Sequence, residues 1–63
     1  MAWLAVDKSE MENIYDYKPL RNKEFHHWLM SQSEGNFIEL PKGTIAKLLR
    51  HDMKWEDEPV ELK

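Results

Sequence analysis

The apolar positions of this chain fall into short runs with two different periods. Trp3-Leu4-Ala5-Val6 is a continuous apolar run stopped by Asp7-Lys8-Ser9-Glu10, which predicts a strand over residues 2–7 closed by a turn. Asn13-Ile14-Tyr15-Asp16-Tyr17 alternates, with both tyrosines on one side, and Lys18-Pro19 ends it because proline cannot donate to a ladder. These two strands pair as a hairpin. Residues 18–24 are polar apart from Leu20 and Pro19 and predict a connecting loop. In Phe25-His26-His27-Trp28-Leu29-Met30 a strand would put Phe25, His27 and Leu29 on one face and His26, Trp28 and Met30 on the other, so both faces call for cover. Ser31-Gln32-Ser33-Glu34-Gly35-Asn36 is a polar turn, and Phe37-Ile38-Glu39-Leu40 returns as a fourth strand, completing a second hairpin.

The period then becomes helical. Ile45, Leu48 and Leu49 fall at i, i+3 and i+4 while Lys47, Arg50 and His51 take the opposite side, which predicts an amphipathic helix near residues 42–51. Pro41 suits a first helical position and Thr44 suits a cap for a later start, with Gly43 weighing against the earlier one. Beyond the helix, Met53-Lys54-Trp55 reads as a short extended piece, Glu56-Asp57-Glu58-Pro59 as a turn and Val60-Glu61-Leu62 as an edge strand. With no repeat, linker or low-complexity stretch, the pattern gives one domain over residues 1–63. Its class is α+β: a small antiparallel β-meander of four to five strands with one helix laid across it.

Phe37-Ile38-Glu39-Leu40-Pro41-Lys42-Gly43-Thr44-Ile45-Ala46-Lys47-Leu48-Leu49, followed by Trp55-Glu56-Asp57-Glu58-Pro59-Val60-Glu61-Leu62, resembles the C-terminal half of short proteins from bacteria and their phages and prophages. The opening Trp3-Leu4-Ala5-Val6-Asp7-Lys8, the Lys18-Pro19 and Arg21 positions and Trp28 extend the resemblance over most of the chain. It implies a bacterial or phage origin and brings no activity with it. Where a glycine would give the usual left-handed helix stop, this sequence has Arg50-His51.

Size constrains the core. A chain of 63 residues buries only about 60% of the surface its unfolded form exposes. Without a cysteine, neither disulfides nor thiolate zinc sites can compensate, so three tryptophans, two tyrosines and two phenylalanines must do so, at roughly 150–250 Å² per buried ring. The lack of cysteine fits a reducing compartment, and the bacterial cytoplasm is the expected location. Residues 1–6 lack a basic leading region and are too short for a signal peptide or a membrane span, so the expectation is a soluble protein with an intact start.

Charge placement matters more than its total of −3. Residues 1–51 balance seven acids against seven bases, whereas residues 52–63 set Asp52, Glu56, Asp57, Glu58 and Glu61 against Lys54 and Lys63. The imbalance is therefore confined to the tail.

Catalytic and metal chemistry find little footing. His26 and His27 are adjacent, so on a strand they point to opposite faces, and neither forms a helical pair with His51. The consecutive carboxylates Glu56, Asp57 and Glu58 beside Pro59 suit a solvated turn better than an acid/base pair, which needs a concave site to split its pKa values. Ser9, Ser31, Ser33 and Thr44 lack a motif placing a base beside a nucleophile, and Gly35 and Gly43 make no phosphate loop. The expectation is a non-enzyme with no catalytic residue, metal or cofactor.

Two binding readings remain. Trp55, flanked by Lys54 and Glu56 at the acidic turn, with Glu56, Asp57 and Glu58, is a candidate protein contact, because tryptophan is enriched among interface anchors; the alternative is a ring folded back onto the helix. Lys18, Arg21 and Lys23 in the loop, with Lys47 and Arg50 on the helix, are a candidate nucleic-acid contact if the two groups meet near Trp28 or Tyr17. The favoured expectation is a small module that binds and modulates a larger host or viral protein. Weak nucleic-acid binding and a structural homo-oligomer paired through strand edges are the alternatives.

Overall fold

The computed structural model describes residues 2–29 and 35–62. Along the chain these form β1 (Ala2–Val6), β2 (Glu12–Tyr15), β3 (Leu20–Asn22), β4 (His27–Leu29), β5 (Phe37–Leu40), α1 (Thr44–Leu49) and β6 (Val60–Leu62). The α+β class stands. The strands do not form one continuous meander: β5-β2-β1-β6 make an antiparallel four-stranded sheet, and β3-β4 make a separate two-stranded hairpin. The expected turn after Leu29 lies mostly outside the described residues, as does Met30.

The run Leu4-Ala5-Val6 is buried throughout because β1 is central, paired with β2 through Leu4↔Ile14 and with β6 through Leu4↔Val60, and covered on both faces. Alternation along the strands splits their side chains between two cores. On one face Leu4 and Val6 pack with Ile45 of α1 and with Met53, joined by Ile14, Leu40, Leu49, Val60 and Leu62. On the other, Ala5 and Tyr15 pack with Trp28 of the hairpin, joined by Trp3 and Trp55. The result is three layers, helix, sheet and hairpin, in which the aromatic residues fill the second core.

Polar contacts at the end of β1 dock the hairpin. Asp7 Oδ1 accepts from the Trp28 backbone N–H at 3.1 Å, Trp28 Nε1 donates to the Val6 carbonyl at 2.8 Å, and the Lys8 N–H donates to the His26 carbonyl at 3.2 Å. Asp7 Oδ2 also accepts from the Nδ2 of buried Asn13 at 3.4 Å. The turn between β1 and β2 puts Glu10 in the left-handed region, φ 73°.

The helix is shorter than its periodicity suggests, and both ends explain why. Gly43 is its N-cap at φ 93°, a conformation that excludes it from the helix and that glycine adopts without strain. No side chain of the helix caps the amides that follow; Glu12 of β2 does, accepting from the Gly43 N–H at 2.7 Å and the Ile45 N–H at 2.8 Å through its two carboxylate oxygens. At the other end Arg50 itself takes the left-handed conformation, φ 65°, and donates its N–H to the Ala46 carbonyl at 2.7 Å. The left-handed stop is thus made without glycine. Of the predicted apolar stripe, Ile45 is buried and Leu49 half-buried, but Leu48 is exposed.

Candidate functional site

The segment following α1 crosses from one core to the other, Met53 packing on the helix side and Trp55 on the hairpin side. It does not continue as an extended piece. The Asp57 N–H donates to the Lys54 carbonyl at 3.0 Å and the Lys54 N–H to Asp57 Oδ2 at 2.8 Å, closing a turn over residues 54–57. Trp55 therefore folds neither onto the helix nor fully into solvent. It meets Trp28 edge-on, with ring centroids 5.4 Å apart at 63°.

Arg21 fastens this arrangement. Its guanidinium carbon lies 4.6 Å from the Trp28 ring centroid and 4.7 Å from that of Trp55, so the cation sits against both rings. Its nitrogens donate to the carbonyls of Trp55, Glu56 (3.3 Å) and Asp57 (3.2 Å), and to Glu58 Oε2 at 3.1 Å. The Arg21 side chain is only 19% exposed, against 81% for Glu58. A strand with few apolar residues forms here because half-buried Arg21, opposite Trp28 across the hairpin, lays its side chain against the aromatic core.

Two candidate groups thus merge: Arg21, a cation of the proposed nucleic-acid set, binds the backbone of the proposed protein-contact turn. The other cations scatter. Lys18 lies 5.6 Å from the Trp3 ring centroid on the hairpin side of the sheet, and Lys23 is exposed beside β3. Lys47 and Arg50 belong to the helix layer on the opposite side. The sheet stands between the groups, so the five do not form one surface.

An open cleft of about 540 Å³ runs between the β1–β2 turn, the start of α1 and the segment 52–56. Met53, Ile45 and Trp55 supply its apolar wall, with the carboxylates of Glu10, Asp52 and Glu56 and the ammonium groups of Lys8, Lys42 and Lys54 around it. A second hollow of about 410 Å³ lies by Asp7, Lys8, Ser9 and the Phe25-His26-His27 stretch. There His27 stacks on exposed Phe25 with centroids 6.0 Å apart. His26 takes φ 59° in the hairpin turn, and His51 is exposed beyond the helix. Among the described residues no group of three or more His, Asp or Glu side chains is placed to hold a metal ion.

Among the described residues one titration is displaced. Burial pushes the Tyr15 phenol up to about 12, with the nearby negative charge of Asp7 adding to the effect and a hydrogen bond with the Asn13 side chain opposing it. That phenol stays protonated at neutral pH.

Asp7, Glu12 and Asn13 make structural contacts that the sequence did not flag. The position of Asp7 immediately after the apolar run is the one local sign of its role. No helix among the described residues is long and apolar enough to cross a membrane. Compared with protein-family models, curated proteins and solved structures, the chain finds no match in any of the three, so a functional reading rests on the geometry above.

Proposed function

We propose that this chain is a small non-enzymatic protein-interaction module whose acidic turn, Trp55 to Glu58, docks on a basic surface of a larger protein and modulates it. The observation that carries this reading is the clamp of Arg21 on the turn's carbonyls. It fixes the backbone before a partner arrives, which lowers the ordering cost of association, while Glu56, Asp57 and Glu58 remain exposed. Half-buried Trp55 supplies an apolar rim beside the charges, and Asp52 and Glu56 add two more carboxylates at the mouth of a cleft whose lining carries charges of both signs. Such a surface speeds encounter with a cationic partner, and its effect weakens as salt screens it. A phage or prophage origin rests on the sequence resemblance; with it, the module would act in the bacterial cytoplasm by covering part of a host regulatory or defence protein.

The test is capture from a bacterial lysate, with and without nuclease treatment, at low and high salt, comparing the native chain with an Asp52→Lys, Glu56→Lys double variant. These two carboxylates make no side-chain hydrogen bond or ion pair among the described residues, so the fold should persist. One protein retained by the native chain at low salt and lost with the variant is expected. Equal retention by both would refute the docking surface, and recovery that vanishes with nuclease would turn the reading toward nucleic acid.

A further inference from the structure

The four-stranded sheet ends at β5 on one side and β6 on the other. The two edges differ. All three β6 residues are half-buried, whereas Phe37 and Ile38 of β5 are 57% and 67% exposed, on opposite faces of the strand. Exposed apolar residues along a strand edge that is unpaired among the described residues make a template for another strand, and the single charge on β5, Glu39, is a light guard.

The hydrogen-bond pattern says which backbone groups that edge offers. The Asp16 N–H donates to the Asn36 carbonyl at 3.0 Å, and the register continues as Tyr15↔Phe37, Ile14↔Ile38, Asn13↔Glu39 and Glu12↔Leu40. Bonded and non-bonded pairs alternate in an antiparallel ladder, so Asn36, Ile38 and Leu40 turn their main-chain groups toward β2. Phe37 and Glu39 turn theirs outward. The next outward position is Pro41, which has no N–H, so the donors offered by β5 itself stop at these two.

We propose that β5 pairs antiparallel with β5 of a second copy of this chain, about a two-fold axis at Ile38. In that register outward groups meet outward groups. Phe37 of each copy exchanges both hydrogen bonds with the partner's Glu39, and Ile38 faces the partner's Ile38 in the close, non-bonded pair. An axis between Ile38 and Glu39 would set outward groups against inward ones. The chosen register also keeps the charge away from its own image, since Glu39 lies opposite an aromatic ring rather than another carboxylate. On the helix side, the row Val60, Leu4, Ile14, Ile38 that crosses the sheet continues into the same row reversed, giving eight strands with one apolar stripe.

The area sets the strength. A phenylalanine 57% exposed leaves on the order of 100 Å² open, and Ile38 a similar amount. With the flanking backbone, roughly 500–600 Å² would be covered in total, against ~1,200 Å² for the smaller stable interfaces. The dimer is therefore weak and depends on concentration. It uses the edge opposite β6, so it leaves the turn that precedes β6 free and does not depend on the docking surface proposed above.

The chain contains no cysteine, which makes a cross-linking test clean. In Ile38→Cys the paired Cα atoms would lie about 4.5 Å apart, within disulfide reach, whereas in Glu39→Cys each thiol would be two residues off its image, at roughly 8 Å. With each purified variant at about 0.5 mM in a mild oxidant, Ile38→Cys is expected to form covalent dimer at least tenfold faster than Glu39→Cys, with tryptophan fluorescence confirming both folds. In parallel, the sedimentation mass of the native chain should rise above 7.6 kDa with concentration, and Glu39→Pro should hold it there, since that substitution removes an outward N–H and spares the ladder to β2. Equal cross-linking rates would overturn the register. A native mass that stays at 7.6 kDa throughout would overturn the pairing.

Discussion

Removing the Arg21 side chain is the sharpest perturbation the structure offers. Three kinds of contact meet on it, and their sizes differ enough to be separated. Each ring contact of a partly desolvated guanidinium is worth about 0.5–2 kcal/mol. Its bonds to the carbonyls of Trp55, Glu56 and Asp57 are charge-assisted, at roughly 1.5 kcal/mol for a good one and less where solvent reaches it. The pair with Glu58, whose side chain is 81% exposed, belongs with surface ion pairs at about 0.5 kcal/mol or less. Allowing for overlap among these, Arg21→Ala should cost about 2–4 kcal/mol. A chain of 63 residues has a total stability of about 3–9 kcal/mol, so that loss is a large fraction of it. Arg21→Lys should lose about half as much, because an ammonium cannot lie flat against two rings and fork to several carbonyls. Glu58→Gln should be nearly silent. Urea unfolding followed by tryptophan fluorescence measures all three, since Trp28 and Trp55 flank the substituted side chain. If Arg21→Ala proves no more destabilising than Glu58→Gln, the rings and carbonyls contribute nothing and the turn is not held as described.

Other expectations follow from single contacts. Glu12→Ala removes both acceptors for the Gly43 and Ile45 amides and should cost about 1–3 kcal/mol in the same assay, with faster hydrogen exchange at Ile45; unchanged exchange there would rule out the cap. Arg50→Gly relieves a left-handed residue and should stabilise by up to about 1 kcal/mol, or roughly 4–8 °C in melting temperature, and a lower melting temperature would contradict this. Because the folded Tyr15 phenol ionises near 12 and an unfolded one near 10.0, the unfolded chain loses its proton first as pH rises, so stability from this group falls between those values and is level below them. Tyr15→Phe should flatten that part of the stability profile, and an identical profile in the variant would refute the assignment.

The parts of the fold legible in the sequence are those whose burial is written in apolar side chains. The runs behind β1, β2, β5 and β6 and the spacing of Ile45 and Leu49 predict their elements to within a few residues. β3 escaped because the side chain it packs on the core is a half-buried arginine, whose hydrophobic value exists only once two tryptophans flank it. The helix ends escaped for a conformational reason. Gly43 and Arg50 both adopt positive φ, and for an arginine no local pattern signals that choice. The strand order escaped because β1 pairs with β6 from the far end of the chain, a contact that no local pattern of side chains specifies.

The candidate site shows where counting charges along a sequence misleads. Arg21 lies 34 residues from Trp55, so the sequence assigned them to different surfaces, one cationic and one anionic. In the fold they are one unit, and the acceptors decide its electrostatic character. Three of the four are neutral carbonyls, so the guanidinium is satisfied chiefly by dipoles and only one turn carboxylate, Glu58, pairs with it directly. Taking Arg21 and Lys54 against Asp52, Glu56, Asp57 and Glu58 leaves this region at a formal −2 with its backbone fixed. A mobile tail with the same charges would attract a basic surface equally well at a distance, but would have to be ordered on contact. Fixing the turn in advance therefore bears on the lifetime of a complex more than on its encounter, and loosening the clamp with Arg21→Lys should raise the dissociation rate while leaving the association rate nearly unchanged.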